Sequence, residues 1–245
     1  AHNRAVDGGP VDQNMDMVRV DREDGNPLAI VCQASGHAVT NNHTNTLVSR
    51  DYPGVVCDSL EAIWPGSTAL FLQGACGDVN PNLVHTGKRR EAGLVASGRA
   101  VALTAMAQPV DGDDLSVMSA QVELPMTPLT ESELRDVAKV EVQKMSPDDP
   151  AGVWARFYNG WADIMVEKLR DGELEDSEIV EIQALRIGKL ILVGHPTELF
   201  SKYSLEMRNS APGFDVVPVG YTNDLVGYVP DPAAYTLHKY IVSKR

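Results

Sequence analysis

Thr68-Ala69-Leu70-Phe71-Leu72-Gln73 runs straight into Gly74-Ala75-Cys76-Gly77-Asp78-Val79-Asn80-Pro81-Asn82. The first six residues are a short apolar run, the pattern of a buried strand. The next nine carry Gly, Asp, Asn and Pro without periodicity, and they predict a tight loop. A strand that hands over to such a loop is where α/β proteins tend to bind ligands. Its glycines leave backbone N–H groups exposed, and these can stabilise an oxyanion. Asp78 and Asn80 can orient a substrate. On spacing alone the same residues read equally well as a turn held by Asx hydrogen bonds. Cys76 has no base near it in sequence and reads weakly as a nucleophile.

Working outward, strands are expected over Met15 to Val20 and Leu28 to Gln33, split by the turn Asp24-Gly25-Asn26-Pro27. Asp51 is the expected N-cap of a helix running to about Trp64, with Pro53 in its first turn. An Ala-rich helix is expected from about Lys88 to Gln108, then a strand over Leu115 to Leu124. Thr130 and Glu133 predict a capping box for a helix reaching about Met145. A second helix carries Trp154, Phe157, Tyr158, Trp161, Ile164 and Met165 at helical spacing, which predicts a core-packing stripe ended by Gly172. Ile179 to Ile187 and Leu190 to Val193 read as a strand pair around Gly188-Lys189. A short helix over about Leu199 to Asn209 and a strand over Val216 to Tyr221 follow. The pattern predicts an α/β fold, with mixed β-sheets flanked by helices in a single domain over residues 1–245.

Composition narrows the function. Of 245 residues, 43% are apolar and 22% charged, so a sizeable core needs no disulfide or partner. The net charge of −13 argues against nucleic acid, whose phosphates call for clustered Lys and Arg. No apolar run approaches the roughly 20 residues of a membrane helix, although peripheral membrane contact stays open. No leader pattern opens the sequence, and the compartment is left undetermined. Three widely spaced cysteines, Cys32, Cys57 and Cys76, read as buried thiols rather than a disulfide framework.

Two further loops carry chemistry-bearing residues. Ser35-Gly36-His37-Ala38-Val39-Thr40 places an imidazole just past a predicted strand. Such a group is a common metal ligand, yet a lone His37 is more often a hydrogen-bonded structural residue. His43 stands six residues on, at no standard ligand spacing. Gly194-His195-Pro196-Thr197-Glu198-Leu199-Phe200 precedes Gly220-Tyr221-Thr222-Asn223 and Gly227-Tyr228-Val229-Pro230. Glu198 beside a helix start is explained by the helix dipole alone, and Tyr228 in a strand by packing.

Taken in order, these segments resemble the neutral/alkaline, non-lysosomal ceramidase family, especially its bacterial members. His2-Asn3-Arg4-Ala5 resembles the family's Asn-Arg motif. His37 through Gly54, with Leu47-Val48-Ser49-Arg50-Asp51, resembles the segment with its second zinc histidine. Phe71 through Asn82 resembles its Gly-Asp-Val-Ser-Pro-Asn loop, the most specific of the matches. Glu198-Leu199-Phe200 resembles the motif with its zinc carboxylate, and Gly220 through Tyr235 the segment with its zinc tyrosine.

The resemblance implies a zinc-dependent amide hydrolase acting on the N-acyl bond of ceramide or a related small N-acyl lipid through metal-activated water. It implies Zn2+ held by His37, Glu198 and Tyr228, with Arg4, Asp78 and Asn80 as catalytic residues. Departures accompany it. The family's first zinc histidine precedes the Asn-Arg motif at which this sequence opens, and a C-terminal immunoglobulin-like domain follows the family's tyrosine segment. An incomplete piece of a longer family sequence, or a shortened relative, is therefore expected. Asn80 stands at the serine linked to catalysis and cannot serve as a nucleophile. Thr197 replaces a glycine, and His195 is an additional imidazole. Two alternatives stay open: a ceramidase-like binding or structural module without turnover, and a metal amidase for a non-lipid substrate.

Overall fold

The computed structural model describes residues 1–41, 45–126, 129–145 and 152–234. His43 and Tyr235 lie outside the described residues. Two β-α-β units dominate. In the first, β2 (Met15–Asp21) pairs antiparallel with β3 (Pro27–Ala34), and β3 pairs parallel with β4 (Thr68–Gln73) across the helix α1 (Asp51–Ile63). In the second, β8 (Leu190–Gly194) pairs parallel with β10 (Asp215–Val219) across α5 (Ser201–Asn209). The four-stranded sheet is completed by β7 (Ser177–Ile187) and β6 (Leu115–Pro125), both antiparallel, in the order β10-β8-β7-β6. The result is a mixed α/β body, as the alternation of patterns predicts.

The core of the first unit is apolar. Ile30, Cys32, Val56 and Leu60 are fully buried where α1 lies on β3 and β4, and Ala100 of α2 (Arg89–Ala105) closes the other side. Burial of a side chain such as Leu60 contributes roughly 1.5–3 kcal/mol. Cys32 and Cys57 act here as small hydrophobes, and burial pushes the Cys32 thiol up to about 12. All three cysteines are free and buried, in keeping with the sequence reading.

The two units meet at the C-terminal ends of their parallel strands. The Gly220 N–H donates to the Gln73 carbonyl at 2.8 Å. Buried Gln33 donates to the Pro218 carbonyl at 2.7 Å. Beneath this seam Arg208 of α5 bonds Asp12 at 2.9 Å and Asp16 at 2.6 Å. Four chain segments leave the strand ends together here, and they are the loops that carry His37, Gly74 to Asp78, His195 to Glu198, and Tyr221 to Tyr228.

The capping box is present. Thr130 N–H donates to Glu133 Oε2 at 2.8 Å and opens α3 (Glu131–Met145). Gly172 ends α4 (Val153–Asp171) with φ +71°. Other expectations are corrected. Asp51 does not cap α1. It is the first helical residue, at φ +51°, and its carboxylate accepts from the N–H groups of Thr40, Asn41 and Tyr52 and from the Thr40 hydroxyl. It pins the 40–41 loop instead of finishing the helix. The aromatic helix α4 is only partly core. Tyr158, Ala162 and Val166 are buried, the first two against Ala138 of α3, but Trp154, Phe157 and Ile164 are exposed. One partner helix covers one narrow face, and the aromatic stripe is wider than that. The strand expected over Val216 to Tyr221 is β10, which stops at Val219, short of Tyr221 in the left-handed region at φ +54°.

Candidate metal centre

Two pairs of two-residue strands assemble the site. β1 (His2–Asn3) pairs antiparallel with β5 (Val79–Asn80), and β9 (Glu198–Leu199) pairs parallel with β11 (Tyr228–Val229). The second register sets Tyr228 directly beside Glu198. The two pairs are tied together by the Gly77 N–H, which donates to the Leu199 carbonyl at 2.8 Å. Only glycine fits there, because a Cβ on Gly77 would lie 2.4 Å from the Glu198 carbonyl oxygen.

Asp78 locks the arrangement. One carboxylate oxygen accepts from the Ser201 N–H and hydroxyl, each at 2.8 Å. The other accepts from the Asn3 amide at 2.7 Å. Burial raises the Asp78 carboxyl above its ordinary value against these hydrogen bonds. With both oxygens engaged, Asp78 holds β1 onto the start of α5 and so fixes Arg4 and Glu198 from behind. Asn80 lies in β5, and its side-chain oxygen is buried with no hydrogen-bond partner among the described residues.

His37, Cys76 and Glu198 converge, with their ligand atoms all within 4.8 Å of one another. The Nδ1–H of His37 donates to the Val79 carbonyl at 3.1 Å, which aims Nε2 at Glu198 Oε2, 2.9 Å away. That is the support usually given to a metal-binding imidazole. Burial pulls the His37 pKa down, but hydrogen bonds to Cys76 and Glu198 outweigh it and raise it to about 9. Burial raises the Glu198 carboxyl and the His37 interaction more than reverses this, leaving it lowered. The three side chains form a group able to hold a metal ion.

Arg4 closes one side. Its guanidinium donates to the Gly77 carbonyl from Nε at 3.2 Å and from Nη2 at 3.0 Å, and to the Tyr228 hydroxyl at 3.0 Å. Nη2 stands 3.5 Å from His37 Nε2. Burial moves the Tyr228 phenol up to about 12 against the lowering effect of Arg4.

The structure therefore brings together Arg4, His37, Glu198 and Tyr228, with Asp78 directly behind them. His195 stands apart from the group. It is 2% exposed, its Nδ1 meets the Thr197 hydroxyl at 3.0 Å, and its Nε2 has no partner among the described residues. Two residues not selected from sequence join the cluster, Cys76 and Tyr221. The Tyr221 hydroxyl lies 3.2 Å from Cys76 Sγ. A cavity of about 550 Å3 opens beside the cluster, lined by Gly36, Tyr52, Pro81, Leu83 and Val95, but by none of the cluster side chains.

This arrangement can be set against known proteins. The chain superposes on neutral ceramidase from Pseudomonas aeruginosa with a TM-score of 0.67 over 95% of its length, at 18% identity. A ceramidase solved in complex with C2 matches over 99% of the chain, with a TM-score of 0.69 and 18% identity. A neutral ceramidase from Mycobacterium tuberculosis is 38% identical over 69 residues, which are 26% of this chain and 11% of that protein. The chain has a neutral ceramidase-like fold. The chain spans 43% and 48% of the two solved chains, less than half of either. No protein-family model matches it.

Proposed function

We propose that this ceramidase-like domain carries the metal site of an amide hydrolase, with zinc as the metal and an N-acyl lipid such as ceramide as the substrate. The reading is carried by one observation: His37, Glu198 and Tyr228, from segments far apart in sequence, converge around one point that Arg4 also faces. The donors are a nitrogen, a carboxylate oxygen and a phenol oxygen, a set that suits zinc and leaves a position open. Zinc, when bound, supplies a Lewis acid that polarises an amide carbonyl and brings the pKa of water down to about 7.

The side chains have definable tasks. His37 is oriented by the Val79 carbonyl and presents Nε2. Glu198 is placed by its register with Tyr228 and by the Gly77 contact below it. Arg4 has its guanidinium held by the Gly77 carbonyl and the Tyr228 hydroxyl, so its charge is in place before substrate arrives. It binds the carbonyl oxygen as negative charge builds there. Asp78 keeps these parts in register. Asn80 can donate its amide to the same oxygen but supplies no nucleophile, so attack on the amide falls to water.

The test begins with metal content. The purified chain and a His37→Ala/Glu198→Ala variant are reconstituted with zinc and analysed for bound metal, then assayed on ceramide and on short N-acyl amides. About one zinc per chain, lost in the variant together with hydrolysis, supports the reading. Zinc-loaded protein that cleaves only non-lipid amides moves the substrate class. No zinc in either protein rules out the proposed hydrolysis by this chain and favours a binding module.

A further inference from the structure

We propose that Cys76 is a further ligand of the metal held by His37 and Glu198, binding as a thiolate that the Tyr221 hydroxyl orients. The inference rests on the metal-site reading above and extends its ligand set: with His37, Glu198 and Tyr228 it would make four protein donors, and water would enter by expansion to five-coordination. Cys76 is fully buried, yet its surroundings differ from those of the other two cysteines. Cys32 and Cys57 pack in the apolar core of the first unit. Cys76 is placed by the loop after β4 with its sulfur facing an imidazole and a carboxylate, the three ligand atoms within 4.8 Å of one another. Tetrahedral zinc with bonds of about 2.0–2.3 Å spaces its ligands about 3.3–3.5 Å apart.

Tyr221 lies against the sulfur. A tyrosine in the left-handed region is costly, of the order of 1–3 kcal/mol, and such strain persists where the surroundings demand it. Here the turn at φ +54° brings the phenol to 3.2 Å from the sulfur. An O–H donated to sulfur is the kind of outer support that orients a metal-bound thiolate. On binding, the Cys76 S–H bond gives way to a sulfur–metal bond, and the proton leaves to solvent. A thiolate also shifts the site away from magnesium and calcium, toward zinc and cobalt.

Cobalt reports this directly. The metal-free chain is titrated with Co2+ and followed by absorption, beside Cys76→Ser, Cys32→Ala and His37→Ala. The expected result is a near-ultraviolet thiolate-to-cobalt charge-transfer band in the wild type and in Cys32→Ala. In Cys76→Ser that band is lost, visible cobalt bands remain, and affinity falls at least about tenfold. X-ray absorption of the zinc-loaded wild type, which needs no variant, should show one sulfur neighbour at about 2.3 Å. Visible cobalt bands in the wild type without the charge-transfer band, or a band unchanged in Cys76→Ser, overturn thiolate ligation while leaving the His37 and Glu198 site standing. Failure of every protein to bind cobalt overturns both.

Discussion

Acidification should weaken this fold through a single imidazole. His195 is buried, and burial lowers its pKa from 6.5 to about 4. The folded protein holds it neutral, whereas the unfolded chain protonates it near 6.5. Between those values the unfolded state binds more protons, so stability is fully present above pH 6.5 and is lost as pH falls toward 4. Integrating the two titrations gives a loss of about 1.5 kcal/mol between pH 6.5 and pH 5. The perturbation is His195→Gln, which keeps a polar side chain facing Thr197 and removes the titration. Urea unfolding of both proteins, with chelator present to exclude metal, is measured at pH 6.5 and pH 5. The other five histidines and all carboxylates are common to both proteins and cancel in the comparison. The wild type should lose about 1.5 kcal/mol more than the variant over this interval. Equal losses would refute the argument and would mean that the buried ring is already protonated or finds a partner when charged.

Other outcomes follow from the geometry. Gly77→Ala puts a Cβ 2.4 Å from the Glu198 carbonyl oxygen and 2.8 Å from Phe200, so it should cost about 1–3 kcal/mol in urea unfolding and lower metal occupancy. Arg208→Met leaves Asp12 and Asp16 without their shared cation and should cost about 3–5 kcal/mol at pH 7. Asp12 is raised by burial but held below its ordinary range by Ser204 and Arg208, so its contribution is present above pH 3.8 and disappears as pH falls through the folded value. The Arg208→Met deficit should therefore shrink in acid, as denaturant midpoints would show. Arg4→Lys replaces a guanidinium that makes three hydrogen bonds by a point charge, and under the proposed hydrolysis it should lower kcat about a hundredfold with zinc content unchanged.

The sequence makes the larger elements legible because each carries a local signal. The apolar runs at 28–33 and 68–73, the Thr130 and Glu133 box and the Gly188-Lys189 turn are all present as read. The two-residue strands at 2–3, 79–80, 198–199 and 228–229 carry no periodicity, since two residues cannot alternate or repeat. They exist only because tertiary contacts align them, and they are what bring Arg4, His37, Glu198 and Tyr228 together. Those four residues are legible only through ordered motifs that resemble a known family, not through spacing. Cys76 and Tyr221 had no such signal. A cysteine in a glycine-rich loop and a tyrosine after a strand become informative only when two loops about 145 residues apart are seen to touch. Asp51 misled for a related reason, because its carboxylate is engaged by the preceding loop.

The centre has no local part. Arg4 reaches Tyr228 across 224 residues and His37 reaches Glu198 across 161. Closing loops of that length costs chain entropy that is repaid only once both β-α-β units exist. Metal capture would then be a late event, available to a chain that has already brought its distant segments together. A bound ion would act as a clasp on the seam between the two units, drawing the folding equilibrium forward by mass action rather than nucleating it.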